Sequence, residues 1–131
     1  GEERLKLEAL VRELGLEEEV ALPGFVDNPF KYMKRAGVFV LSSQWEGFGN
    51  VLVEAMACGT PVVSTACPSG PEEILENDRW GRLVSVGDVD ALAEAIILTL
   101  DDKNHPDVAR RALDFGVQRA IDEYIRVLGL N

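Results

Sequence analysis

Two short apolar runs, residues 37–41 and 61–64, constrain this chain more than any other feature. Strands with one wet face alternate apolar and polar residues, whereas runs without that alternation belong to strands covered on both faces. The segment between them, residues 50–58, is apolar all round a helix apart from Glu54, which marks a helix that is itself buried. A strand, a buried helix and a second strand call for a right-handed crossover and a parallel sheet with helices on both faces. The expected class is α/β, with a Rossmann-like sheet.

The rest of the chain keeps the alternation. Leu7, Leu10, Val11 and Leu14 share one face of a helix over residues 4–14, and Gly15 supplies its stop. Residues 19–22 read as a short strand closed by Pro23-Gly24, and Asn28-Pro29 as the cap and first turn of a helix reaching Arg35. Beyond the second apolar run, Pro71 opens a short helix over residues 72–77, residues 82–86 read as a strand, and Asp88 caps a helix through Leu100. A short helix at 107–114 follows. Val117, Ala120, Ile121, Tyr124, Ile125 and Leu128 then mark an amphipathic helix that packs across the rest.

At 131 residues the chain has enough sequence for one domain with a real core but not for two lobes. Thirteen basic against 23 acidic residues give a net charge of −10, which repels nucleic acid and anionic membrane. An anionic ligand therefore has to be held by local dipoles and a few placed donors, which favours a small, enclosed site. Cys58 and Cys67 lie in or beside apolar segments and read as reduced, structural residues. His105 is the sole histidine and reads as a solvated loop residue, so a histidine metal site or a Ser-His triad has almost nothing to be built from. No apolar run reaches the ~18 residues of a membrane span. Gly1-Glu2-Glu3-Arg4 is not a signal peptide, and the expected location is cytoplasmic.

Chemistry concentrates between Trp45 and Gly59, where Glu46 and Glu54 flank Gly47-Phe48-Gly49-Asn50. A glycine-rich turn leaving a strand and opening a helix presents unpaired N–H groups and the positive end of a helix dipole, a seat for phosphate. Glu54, alone among apolar neighbours, needs a cation, several donors or a ligand, and a ribose diol suits it as well as a structural arginine or a cap does. Glu46 follows the C-terminal end of a strand, the edge where open α/β sheets bind ligands, although an ordinary exposed loop acid fits the same position. The second loop, Cys67-Pro68-Ser69-Gly70-Pro71, reaches the same edge. There Ser69 and Gly70 either offer a hydroxyl and an N–H to a ligand or simply turn the chain into a helix. Trp45 and Trp80 read as packing residues, and Glu17-Glu18-Glu19 as a solvated turn.

The string from Glu46 through Glu54 to Val63 closely resembles the E-x7-E signature of the retaining glycosyltransferases of family 4, the group 1 enzymes of GT-B fold. The resemblance extends to Pro23-Gly24-Phe25-Val26, to residues 68–75, to Gly81-Arg82-Leu83-Val84 with Gly87-Asp88, and to the closing helix with Phe115 and Tyr124. It implies the nucleotide-sugar-binding half of a two-lobed enzyme, with the acceptor brought by a lobe that this chain lacks. By that likeness Glu46 lies near the donor sugar in a positioning and electrostatic role, and Glu54 holds the ribose. Phe48, Gly49, Asn50 and Val51 turn main-chain N–H groups to the sugar and diphosphate, and Gly24 and Val26 lie in the loop beside the base. No metal is implied, because helix dipole and basic side chains stabilise the departing diphosphate.

In the family, two strands bearing an arginine and a lysine precede the first helix seen here, and they are central in the sheet. The chain is thus expected to be a fragment, inactive alone, that rearranges its sheet or pairs with a second copy to cover exposed strand edges. The implied setting is polysaccharide, lipopolysaccharide or glycolipid assembly, with the parent protein peripheral to the inner face of a membrane. The alternatives are a non-catalytic anion-binding or interaction module and a related sugar-nucleotide epimerase.

Overall fold

A computed structural model describes residues 2–47, 49–116, 121–122, 125–126 and 129. In chain order its elements are α1 (Arg4–Glu13), α2 (Pro29–Arg35), β1 (Phe39–Leu41), α3 (Asn50–Ala57), β2 (Val62–Thr65), α4 (Pro71–Leu75), β3 (Arg82–Val84), α5 (Val89–Asp101) and α6 (Val108–Ala112), followed by a 3₁₀ turn, Leu113–Phe115.

The sheet has three parallel strands in the order β1-β2-β3. Phe39 pairs with Val62 and Leu41 with Ser64, while Val63 pairs with Arg82 and Thr65 with Val84. Successive side chains of a strand point to opposite faces. Val62 accordingly joins a core cluster with Leu52, Val53 and Met56 of α3, Ile74 and Leu75 of α4, and Ala112 of α6. Val63, fully buried, faces the other way, toward α5. Helices cover both faces, as the uninterrupted apolar runs require. The cluster is tight enough that Gly81 is obligatory: a Cβ there would stand 2.6 Å from the Val62 carbonyl oxygen.

Four expectations need correction. Residues 19–22 form no strand, because a strand exists only within a ladder and among the described residues β1 pairs with β2 alone. The helix expected at 72–77 stops at Leu75, since Glu76, Asn77 and Asp78 all take left-handed backbone (φ 47°, 53° and 73°) and Asp78 accepts the Leu83 N–H at 2.6 Å. The strand expected at 82–86 ends at Val84, where the Asp88 N–H turns back to the Ser85 carbonyl. The two apolar runs supply strands of 39–41 and 62–65, because Pro61 has no N–H and gives only its carbonyl, to Phe39 at 2.8 Å.

The helix at 4–14 forms, but no residue of α1 is buried, and Leu5, Leu7, Leu10 and Leu14 are all exposed. Of the closing helix, Ile121 and Ile125 are helical and buried in the core cluster. Val117, Ala120, Tyr124 and Leu128 lie outside the described residues.

Candidate functional site

Gly49 caps α3 with φ +91°, a left-handed conformation that costs glycine little. Its carbonyl accepts from Leu52 and Val53, which opens the helix, while no side chain caps the turn. Among the described residues nothing accepts from the Asn50 and Val51 amides, so the start of α3 presents donors and the positive dipole end to solvent. A Cβ on Gly49 would lie 3.3 Å from Ile74 and 3.9 Å from Pro71. The loop before α3 is thus backed directly against α4, and the two loops converge at the C-terminal edge of the sheet. Phe48 lies outside the described residues.

The first loop is fastened at its root. Thr65, at the end of β2, donates its hydroxyl to the Ser43 carbonyl at 2.6 Å, and the Ser43 hydroxyl donates to the Glu46 carboxylate at 3.0 Å. Glu46, half-buried, is therefore held in a defined direction rather than left as a loose loop acid. Sequence reasoning missed Ser43 and Thr65: the Ser43-x-x-Glu46 spacing was a local signal, whereas the Thr65 bond joins residues 22 apart and had none.

Glu54 sits one turn inside α3, half-buried, and burial raises its carboxyl above the ordinary glutamate range. No cation and no donor meets it among the described residues, so the structural arginine and the capping role are not what the fold provides. It is a half-buried carboxylate, unpaired among the described residues, on the helix whose first amides are unpaired too. One turn further along, burial pushes the Cys58 thiol up as well; Lys34 opposes that rise, and the Glu54 and Asp122 carboxylates add to it. Cys58 is accordingly an inert thiol.

The second loop enters α4 with Pro71 at the first helical position, which is the turn reading of this stretch. Ser69, exposed with φ +67°, carries backbone strain of about 1 kcal/mol or more, and its hydroxyl makes no hydrogen bond among the described residues. Arg111 of α6 anchors α4 from behind by donating to the Glu73 and Ile74 carbonyls, each at 3.0 Å, and by pairing with Glu76.

Gly24 and Val26 line an apolar hollow of about 340 Å³ with Tyr32, Met33 and Phe39. Neither Glu46 nor Glu54 lines this hollow. Asn50, the first residue of α3, is exposed, while Gly49 before it is buried. Trp45 corrects another expectation: it is 76% exposed. Trp80 does pack, with its indole N–H on Glu76 and the Arg79 guanidinium 5.1 Å from its ring. His105 and residues 17–19 are exposed, as read. Among the described residues no three acids, cysteines or histidines gather as a metal site, and no helix is long and apolar enough to cross a membrane.

This arrangement can be set beside known proteins. The family model for glycosyl transferases group 1 matches residues 1–113. An N-acetylgalactosaminyltransferase of Campylobacter jejuni, acting on N-acetylgalactosamine-N,N'-diacetylbacillosaminyl-diphospho-undecaprenol, is 43% identical over 97 residues, 74% of this chain and 27% of its own length. The lipopolysaccharide core biosynthesis glycosyltransferase LpsE of Rhizobium meliloti is 34% identical over 134 residues, 98% of this chain and 39% of its own. The crystal structure of Anabaena HepE in complex with UDP superposes with a TM-score of 0.74 at 30% identity, covering 94% of this chain and 35% of that one. The chain thus spans well under half of each of these relatives. A family match along most of its length, with the α3 loop and its two glutamates inside the matched region, leads to one conclusion: this chain belongs to the group 1 glycosyltransferases.

Proposed function

We propose that this chain is the donor-binding part of a retaining, family 4 glycosyltransferase that takes a sugar from a nucleoside-diphosphate sugar. The observation that carries the reading is the juxtaposition on α3 of unfilled N–H donors at Asn50 and Val51 with the unpartnered, desolvated carboxylate of Glu54. The diphosphate takes the donors and the helix dipole, and the ribose hydroxyls take the carboxylate. The base extends toward Gly24 and Val26, whose hollow is apolar and wide enough for a ring. Glu46, oriented by Ser43, stands toward the sugar and stabilises positive charge at its reacting carbon, and the exposed Ser69 hydroxyl and the Gly70 turn close the donor's flank.

The open face around α3 is completed by chain that precedes this segment in the whole enzyme and by an acceptor lobe. The segment alone is inactive. That completing chain, or a second copy, also covers the bare edge of β1. The reaction needs no metal, the acceptor is a glycan or lipid-linked glycan, and the enzyme works in the cytoplasm at the inner face of a membrane. That HepE was crystallised with UDP supports a nucleotide-sugar donor.

Calorimetric titration with UDP, GDP and ADP tests this. At least one is expected to bind, and Glu54→Ala to lose most of that affinity. Indifference to all three nucleotides favours the interaction module instead.

A further inference from the structure

Helix α2 carries Lys31, Lys34 and Arg35, and the stretch 28–45 around it holds no acid, in a chain with 23 acids and a net charge of −10. At 3.6 residues per turn the three cations fall within about 100° of one another round the helix. All three are exposed. Pro29, Tyr32, Met33 and Ala36 line the apolar hollow on the other side of α2, so the basic face is turned away from it. Arg4, Lys6, Arg79, Arg82 and Arg111 face carboxylates, whereas Lys31, Lys34 and Arg35 form no ion pair among the described residues. A helix favours cations in its last turn, which accounts for Lys34 and Arg35 but neither for Lys31 nor for the missing acids. Between these side chains, Phe30 and Ile125 there is a hollow of only about 20 Å³, room for about one water. The face therefore encloses no small ligand, and only something broad and anionic can meet all three charges. Tyr32, 57% exposed, follows Arg35 on the shoulder of the helix, and a phenol ring beside cations suits a layer that is wet and charged outside and apolar beneath. The net charge of the whole chain does not cancel this patch, because exposed charges further off than about 8 Å are largely screened at physiological ionic strength.

We infer that the face of α2 bearing Lys31, Lys34 and Arg35 docks this chain on an anionic phospholipid surface. The inference deepens the proposed setting at the inner face of a membrane and rests on it. α2 packs on α3, and Lys34 acts on Cys58 just past the C-terminal end of that helix. The bilayer is thus met at the end of α3 away from the Asn50 and Val51 amides, which stay free for a ligand.

Flotation of the full 131-residue chain with vesicles at physiological salt tests this, using phosphatidylcholine alone and an equal mixture of phosphatidylglycerol and phosphatidylcholine. The mixed vesicles are expected to carry the chain, half-saturating at about 10 mM lipid or below, and the neutral ones to leave it behind. Each cation at such a surface contributes about 5-fold, so Lys31→Gln, Lys34→Gln and Arg35→Gln together are expected to weaken binding about 100-fold. Lys6→Gln, Arg12→Gln and Lys103→Gln together remove the same charge from other places and are expected to change it by no more than about 2-fold. All six side chains are exposed, and circular dichroism will certify the fold. Equal binding to both kinds of vesicle, binding to neither, or an equal loss in the two triple variants overturns the inference. So does tighter binding of a thymidine oligonucleotide than of mixed vesicles, which would give the face to nucleic acid. UDP binding without vesicle binding keeps the donor reading and removes this one. Vesicle binding without UDP binding keeps the docking face and removes the donor reading.

Discussion

Helices α1 and α3 both carry apolar surface that asks for a partner, and they meet opposite fates. α3 buries Leu52, Val53, Ala55, Met56 and Ala57 against β2 and α6, whereas α1 buries nothing and leaves its three leucines in water. The difference lies not in helix propensity but in what stands opposite. α3 lies over strands that this chain supplies, and α1 precedes a segment, residues 20–26, that has no ladder to join. An apolar stripe is thus a demand for a neighbour, and a short chain can carry the demand without supplying the neighbour.

Substitution of one leucine in each helix would break this contrast most sharply. Leu52→Ala, at a fully buried position, is expected to cost about 2–5 kcal/mol in urea unfolding. Leu10→Ala, at a half-exposed one, should stay within about 0.5 kcal/mol. Equal costs would mean that α1 is packed in solution, and light scattering would then show whether a second copy does the packing.

Next in size is the backbone at the junction of the two loops. Gly49→Ala meets both a left-handed φ and an Ile74 methyl 3.3 Å away, so a loss of about 1–3 kcal/mol is expected, with nucleotide affinity falling alongside. The equivalent change at Gly15, also left-handed but with nothing near its Cβ, should cost about 1 kcal/mol. If the two costs are equal, the packing of the α3 loop on α4 is not the constraint described.

A smaller effect of opposite sign is expected at Glu54. Burial raises its folded pKa, so the folded state binds the proton more readily than the unfolded one. The cost of the charge is then absent below the ordinary glutamate pKa of about 4.3 and grows as pH rises through the folded value. Glu54→Gln should raise Tm at pH 7, with the gain gone near pH 4, while nucleotide binding is lost. A fall in Tm at neutral pH would indicate a stabilising partner for the carboxylate. The smallest effect belongs to the exposed Arg4–Glu8 pair (2.8 Å), whose removal should change unfolding by under about 0.5 kcal/mol.

The parts of the fold legible in sequence were those whose cause is local. The uninterrupted runs at 37–41 and 61–64 announced parallel strands, β2 buried throughout and β1 only at Leu41, and Asp88 announced a cap whose carboxylate does receive the Ala91 N–H. The failures came where the cause is distant. Residues 19–22 have strand composition but no partner strand, and residues 76–78 turn left-handed in a run that reads as helical until Asp78 is seen to bind Leu83. The same division holds for the site. The glycine-capped start of α3 and its solitary glutamate could be read from spacing, whereas the Thr65–Ser43–Glu46 chain and the exposure of Trp45 depend on which strand lies beside which.

The account turns on α3 as a seat for a diphosphate and its ribose, and a crystal structure of this chain soaked with UDP addresses that directly. The expected result is phosphate oxygens about 3 Å from the main-chain nitrogens at the start of α3, with the ribose hydroxyls on the Glu54 carboxylate. UDP bound elsewhere, or bound at α3 with Glu54 turned away from the ribose, would contradict it.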